Sequence, residues 1–224
     1  MSLYSFDKSN EMFLRAIRVI PTGISGNKNP AFAIPGAFPY LAERGEGCRY
    51  WDVDDTQYID FLCGYGPIVL GYGYEKIDAA ADAQRSLGSA FNHPTARTLE
   101  LAEKLVELIP CADWAAFGRN GSDVTTYAIQ IAREYTQRRK IVVARGAYHG
   151  SHAWCTPGHG GLLIEDQMHD LTFTWNDANE FEALDEAHEG DVAGVMLTPY
   201  HHPAIAVQEL PSESFWPDVR RSCD

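Results

Sequence analysis

Short apolar strand patterns alternate with amphipathic helical patterns in the second half of this chain. The strand patterns are residues 114–117, 141–144 and 192–197, and the helical patterns begin at Ser122 and at residue 179. Such alternation is typical of a parallel β-sheet with helices packed on its faces. We therefore predict an α/β fold with a mostly parallel sheet and helices on both faces.

The first half of the chain has a different organisation. A short helix at residues 9–19 precedes a segment rich in proline and glycine, and residues 49–62 alternate and turn as a β-hairpin does. Two further helices are predicted at residues 75–87 and 98–109. We expect residues 1–65 to form an N-terminal segment. Residues 66–224 are expected to form part of a large α/β domain that continues past residue 224.

The segment Phe117-Gly-Arg-Asn-Gly-Ser-Asp-Val-Thr125 joins a predicted strand to a predicted helix. Unpaired N–H groups at a helix start, together with the helix dipole, bind anions such as phosphate. Gly121 lets the backbone approach an anion closely, and Ser122, the predicted N-cap, offers an N–H and a hydroxyl. The alternative is an ordinary capped helix after a flexible turn. The segment is neither a Walker A loop nor a G-x-G-x-x-G motif.

The helix that begins at Ser122 carries an apolar stripe, which we expect to face the core. Its members are Val124, Ala128, Ile131, Ala132 and Tyr135.

Residues 147–150, Ala-Tyr-His-Gly, follow the next predicted strand. The ring of Tyr148 can lie over a planar heterocycle, and His149 can donate a hydrogen bond beside it; a core tyrosine and a structural histidine are the alternatives. Ligands of parallel sheets bind beyond the carboxyl ends of strands, so both loops can contribute to one site. A phosphate site next to an aromatic ring suits a flat, phosphorylated cofactor.

Several histidines could suggest a metal site, but we predict none. The residues concerned are His149, His152, His159 and His169, with Glu165 and Asp166 nearby and His201-His202 further along. Their spacing matches no ligand pattern such as H-E-x-x-H. No Ser-His-Asp order or G-x-S-x-G motif supports a hydrolase.

The charge balance of the chain is acidic, with 31 acidic residues against 18 basic residues and a net charge of −13. Nucleic acid and anionic membrane surfaces are therefore poor partners. Neither a signal peptide nor a membrane-spanning run appears, and the five scattered cysteines are typical of reduced thiols. We expect a cytoplasmic protein.

Taken in order, several segments resemble the class III aminotransferases, which are pyridoxal-phosphate (PLP) enzymes of fold type I, and most of all their glutamate-1-semialdehyde aminomutase branch. The resemblance rests on residues 120–125, 131–133 and 147–150, on the hairpin at residues 45–61, and on residues 64–71, 92–94 and 101–105. No single motif is decisive, but the ordered set is specific and spans nearly the whole chain.

The resemblance implies that PLP is the cofactor, that Gly121 and Ser122 bind its phosphate, and that Tyr148 stacks on its ring. It places Tyr65 in the substrate pocket and Asp123 behind the phosphate loop. It implies amino-group transfer between a small amino donor and a carbonyl acceptor, by way of a Schiff-base lysine. It also implies a homodimer.

Three departures from the family pattern are visible. None of the five lysines has a context like the family's Schiff-base segment, and Lys140 begins a strand while Lys104 lies on a helix. Thr198-Pro199 replaces the usual Glu-Pro. Residues 23–32 contain Lys28 but no arginine, and lysine lacks the bidentate fork that holds a substrate carboxylate.

Two other functions remain open at this level. One is a truncated, non-catalytic family member that binds the cofactor or a partner. The other is a related PLP-dependent racemase or decarboxylase, because the groups that decide the reaction type lie mostly outside the segments described above.

Overall fold

The computed structural model of the chain describes residues 4–21, 23, 41–156, 160–201 and 207–224. The chain divides into two compact units, Met1–Thr95 and Ala96–Asp224. The expected boundary after residue 65 falls inside the first unit and stays a prediction. Most of the segment rich in proline and glycine, including Lys28, lies outside the described residues.

The first unit contains an antiparallel sheet in the order β1–β2–β3. Its elements are α1 (Asp7–Ala16), β1 (Ala42–Glu46), β2 (Arg49–Asp52), β3 (Gln57–Ile59) and α2 (Glu75–Leu87), with a 3-10 turn at Cys63–Tyr65. The predicted hairpin and both predicted helices of this unit are confirmed. Strand β1 was not predicted, because every one of its residues is exposed and no apolar alternation marks it.

Helix α1 is capped by a carboxylate from the hairpin and not by its own N-cap residue. Phe6 provides no side-chain cap. Instead, Asp54 accepts hydrogen bonds from the N–H groups of Lys8 at 2.8 Å and Ser9 at 2.9 Å, and from the Ser9 hydroxyl at 2.6 Å. These bonds satisfy two of the four amides that every helix start leaves open. They tie α1 to the β2–β3 turn.

The second unit contains a parallel sheet in the order β5–β4–β6. Its elements are α3 (Ala96–Leu108), α4 (Gly121–Thr136), β4 (Lys140–Ala144), β5 (Asp170–Phe173), α5 (Ala178–Ala187), β6 (Val192–Met196) and α6 (Phe215–Cys223). Alternate residues of β4 point to opposite faces. Ile141 packs with Ile129 of α4, and Val142 packs with Phe181 of α5 and Phe215 of α6. The predicted α/β fold with helices on both faces is confirmed.

Two details of the sequence prediction for the second unit are wrong. Residues 114–117 form no strand, because they pair with no other strand in the described part of the chain. In α4 the buried residue is Ile129, whereas Val124, Ile131 and Tyr135 of the predicted stripe are exposed. Strand β5 and helix α6 were not predicted from the sequence.

Asp170, at the start of β5, has a carboxyl group that lowers the stability of the fold when it is ionised. Burial raises its pKa from 3.8 to about 6, although the charge of Arg133 opposes this. The folded state therefore binds more protons than the unfolded state between these two pH values, and stability falls as pH rises through them. We expect Asp170→Asn to raise the free energy of unfolding above pH 6 and to have little effect below pH 4.

A shift of this size corresponds to about 3 kcal/mol in a fully buried group, and we expect about 1–2 kcal/mol for this partly solvated one. Urea unfolding at pH 7.5 and at pH 4 measures the difference. Asp191→Asn is the control, because we expect it to lower the free energy of unfolding at pH 7.5, where Asp170→Asn raises it. The hydrogen bond from Arg139 lowers the pKa of Asp191, so its charge stabilises the fold above its unfolded-state pKa. Equal effects of Asp170→Asn at both pH values would contradict the assignment.

Candidate functional site

A cavity of about 610 Å³ lies where the carboxyl ends of β4 and β6 meet the start of α4. It is lined by the first turn of α4, by residues 148–152 and by residues 196–199. The two loops that the sequence singled out are therefore brought together in one place. This is the position at which parallel sheets bind ligands.

The start of α4 is capped by Asn120, so the prediction that Ser122 is the N-cap is wrong. Asn120 has extended backbone angles, and its side-chain oxygen accepts from the N–H of Asp123 at 3.0 Å. Ser122 is the second residue of the helix. The N–H groups of Gly121 and Ser122 have no hydrogen-bond partner within the described residues. They form what we call the phosphate cradle, two open amides at the positive end of a helix dipole.

Open space lies next to Gly121 at the cradle. A Cβ added at Gly121 would meet no atom within 4 Å, so the missing side chain leaves room beside the two open amides. At Gly150 the opposite holds. A Cβ there would lie 2.8 Å from Oγ and 3.0 Å from Cα of Ser122, because the loop passes directly against the cradle.

Tyr148 lies on the cavity wall with its side chain half-exposed. His149 also lines the cavity but is only 8% exposed, and its ring is stacked on Trp154 at a centroid distance of 6.5 Å. Burial lowers the pKa of His149, which keeps the ring neutral near pH 7. Its Nε2 atom is buried and has no partner within the described residues.

Five hydrogen bonds join α4 to the tyrosine loop, which we define as residues 147–154. One of them links the hydroxyl groups of Ser122 and Ser151 at 3.2 Å. The Ser151 N–H donates to Oγ of Ser122 at 2.9 Å, and the Thr125 hydroxyl donates to the carbonyl of His149 at 2.8 Å. Thr126 Oγ1 lies 2.8 Å from Nδ1 of His152 and accepts from the Trp154 indole N–H at 2.9 Å. Sequence reasoning missed this set. Its only trace in the sequence is the polar side chains on consecutive turns of α4.

Of the remaining residues considered from the sequence, Thr198 and Pro199 line the cavity and Tyr65 does not. Tyr65 belongs to the first unit, in the 3-10 turn, where its side chain is largely exposed; its place in a substrate pocket stays a prediction. Thr198 and Pro199 line the cavity, and the Thr198 hydroxyl donates to the carbonyl of Tyr200 at 2.5 Å. No lysine among the described residues lines the cavity, and Lys140 starts β4 at the end away from it.

The described residues contain neither a cluster of metal ligands nor a membrane-spanning helix. No group of three or more His, Cys, Asp or Glu side chains could hold a metal ion there. His159 and His202 lie outside the described residues. Within the same part of the chain, no helix is long and apolar enough to cross a membrane.

Comparison with known proteins identifies the class. The family model of the class-III aminotransferases matches residues 33–224, so the chain belongs to this PLP-dependent family. The structure superimposes with a TM-score of 0.93 on the PLP form of the FumI protein from Sphingopyxis sp. MTA144, at 41% identity, covering 97% of this chain and 52% of that one. The fold is that of fold type I PLP aminotransferases.

Among curated relatives, the chain is 43% identical to aminopentol aminotransferase of Sphingopyxis macrogoltabida, over 94% of this chain and 50% of the relative. It is 40% identical to 3-aminobutyryl-CoA aminotransferase of Cloacimonas acidaminovorans (strain Evry), over 95% of this chain and 51% of the relative. Glutamate-1-semialdehyde 2,1-aminomutases also match, at 33% identity and below. The chain spans about half the length of these relatives.

Proposed function

We propose that this chain forms the cofactor-binding part of a PLP-dependent aminotransferase site. Gly121 and Ser122 bind the cofactor phosphate through their open amides, and the ring of Tyr148 stacks on the pyridine. The observation that carries the proposal is the open space at Gly121, where unpaired amides of a helix start face the same cavity as an exposed aromatic ring. This combination matches a phosphate attached to a planar heterocycle.

The residues around the cavity support binding in a defined orientation. Ser122 holds its Oγ toward Ser151, so its hydroxyl hydrogen can be donated to Ser151 Oγ or to a phosphate oxygen. Burial lowers the pKa of His149 and keeps its ring neutral near pH 7. Its Nε2, which has no partner among the described residues, can form a hydrogen bond with a bound group. Bound PLP supplies the electron sink and carries the amino group between donor and acceptor.

For the reaction, we favour transamination between a small amine and a carbonyl acceptor over aminomutation. The aminotransferases named above are 43% and 40% identical to this chain, whereas the aminomutases reach 33%. Thr198 at the cavity, in place of the family glutamate, gives this wall a neutral side chain. We also propose a homodimer, on the resemblance to fold type I enzymes, and a cytoplasmic location, on the five scattered cysteines.

Borohydride reduction of the purified chain with PLP tests how the cofactor is held. We expect an absorbance change that saturates with PLP, and no PLP mass fixed to a specific lysine, since no described lysine lines the cavity. Covalent PLP on one defined lysine would show that a residue of this chain reaches the cofactor. No saturable binding at all would overturn the proposed function.

A further inference from the structure

We propose that His152 is a positioning residue that fixes the distance between the phosphate cradle and the ring of Tyr148. The inference rests on the proposed function, because it concerns how the two ends of one bound cofactor are held. His152 lies in the tyrosine loop, and its ring bridges toward two residues of α4, Thr126 and Asp123.

The contacts around Thr126 and Asp123 favour one tautomer of His152. The indole N–H of Trp154 can only donate, so Thr126 Oγ1 accepts from it at 2.9 Å. Thr126 Oγ1 also lies 2.8 Å from Nδ1 of His152, and its hydroxyl hydrogen forms no other hydrogen bond among the described residues. We assign Nδ1 as the acceptor of this hydrogen, because the neutral ring then carries its own hydrogen on Nε2, the atom that faces the Asp123 carboxylate.

The Nε2–H side of His152 faces the carboxylate that stabilises the cradle. Oδ1 of Asp123 lies 4.0 Å from Nε2. The other oxygen of Asp123 accepts from the N–H of Arg119 at 3.3 Å and from the amide of Asn120 at 3.2 Å. Asn120 in turn caps α4 immediately before Gly121. A series of contacts thus runs from Trp154 in the tyrosine loop to the residues that precede the open amides. It consists of hydrogen bonds except for the 4.0 Å contact between His152 and Asp123.

This series of contacts has a specific consequence for a ligand that reaches both the cradle and the ring of Tyr148. A molecule that uses the cradle and the ring together benefits from their fixed separation, whereas a molecule that uses one end does not. Breaking the contacts of His152 should therefore weaken the binding of PLP more than that of inorganic phosphate, which needs only the cradle. It should also weaken PLP binding more than the binding of pyridoxal, which lacks the phosphate.

Equilibrium titration of the purified chain with these three probes tests the proposal. His152→Leu removes both ring nitrogens at similar volume, and Thr126→Val removes the hydroxyl from the helix side. We expect each to weaken PLP about fivefold to tenfold, the effect of one lost side-chain hydrogen bond, with less than about a twofold change for phosphate and pyridoxal. The double variant should bind PLP no more weakly than the single variant with the lower affinity, because both changes break the same hydrogen bond between Thr126 and His152.

Two further variants separate positioning from general damage. His152→Asn keeps an amide that can accept from Thr126 and should restore most of the PLP affinity. Thr136→Val removes a hydroxyl from the same helix, where it bonds only within its own turn and to Arg138, and should leave all three affinities unchanged. The visible circular dichroism of saturating PLP should fall in His152→Leu, since the ring is held less firmly.

The outcomes that overturn the inference are distinct. Unchanged PLP affinity in His152→Leu and Thr126→Val, with binding intact in the unaltered chain, overturns the role of His152 and leaves the proposed function standing. A parallel loss for all three probes shows a structural role only and also overturns it. If the unaltered chain binds neither PLP nor phosphate, the proposed function and this inference are both wrong.

Discussion

Gly150→Ala is expected to cost about 2–4 kcal/mol of the free energy of unfolding and to abolish measurable PLP binding. Gly150 has φ of +138°, a conformation that is strained for any residue with a side chain. The new methyl group would also lie 3.0 Å or less from three atoms of Ser122, two of them in its side chain and one in its backbone. Because Ser122 is bonded to Ser151 and is part of α4, it has little room to shift.

Gly146→Ala, in the preceding turn, is the matched control for this prediction. It separates the effect of backbone strain from the effect of a close contact with Ser122. Its φ of +76° is also positive, but an added Cβ would meet no atom within 4 Å. We expect it to cost about 1 kcal/mol from backbone strain and to leave PLP affinity nearly unchanged. Urea unfolding and PLP titration measure both variants. If Gly150→Ala behaved like Gly146→Ala, the close approach of the tyrosine loop to the cradle would be refuted.

Gly121→Ala should have the reverse profile, with unchanged or slightly raised stability and PLP affinity about 10-fold to 100-fold weaker. Gly121 is the first residue of α4 and does not have positive φ, so alanine fits the backbone and removes freedom from the unfolded chain. The methyl group meets no protein atom within 4 Å and instead occupies space that a phosphate needs.

The same two measurements test this prediction, with pyridoxal as the control ligand. Pyridoxal lacks the phosphate and should bind Gly121→Ala as it binds the unaltered chain. An alanine variant that binds PLP normally would place the phosphate elsewhere, and an equal loss for pyridoxal would mean that the methyl group disturbs the ring site.

Much of this architecture follows from local sequence patterns. Strands β4 and β6 are apolar runs, and helices such as α2 and α3 have helical periodicity, so each could be predicted within a few residues. The meeting of residues 120–122 with Tyr148 also follows, because the carboxyl ends of parallel strands meet at one edge of a sheet.

What the sequence could not provide depends on partners distant in the chain. Residues 114–117 are apolar enough for a strand, yet a strand needs a neighbour, and they pair with none of the described strands. Ser122 and Asn120 are both good caps, and only backbone geometry decides for Asn120. The bonds from Ser122, Thr125 and Thr126 to the tyrosine loop join residues 24 to 29 positions apart, which no local periodicity encodes.

Binding of the PLP phosphate at the start of α4 is the basis of the proposed function. Parallel titrations of the unaltered chain with PLP and with pyridoxal, each repeated in excess inorganic phosphate, test it most directly. Charge-assisted hydrogen bonds to open amides predict that PLP binds at least about 30-fold more tightly than pyridoxal, and that phosphate competes with PLP but not with pyridoxal. Equal affinities for the two ligands, or no competition by phosphate, would contradict the claim.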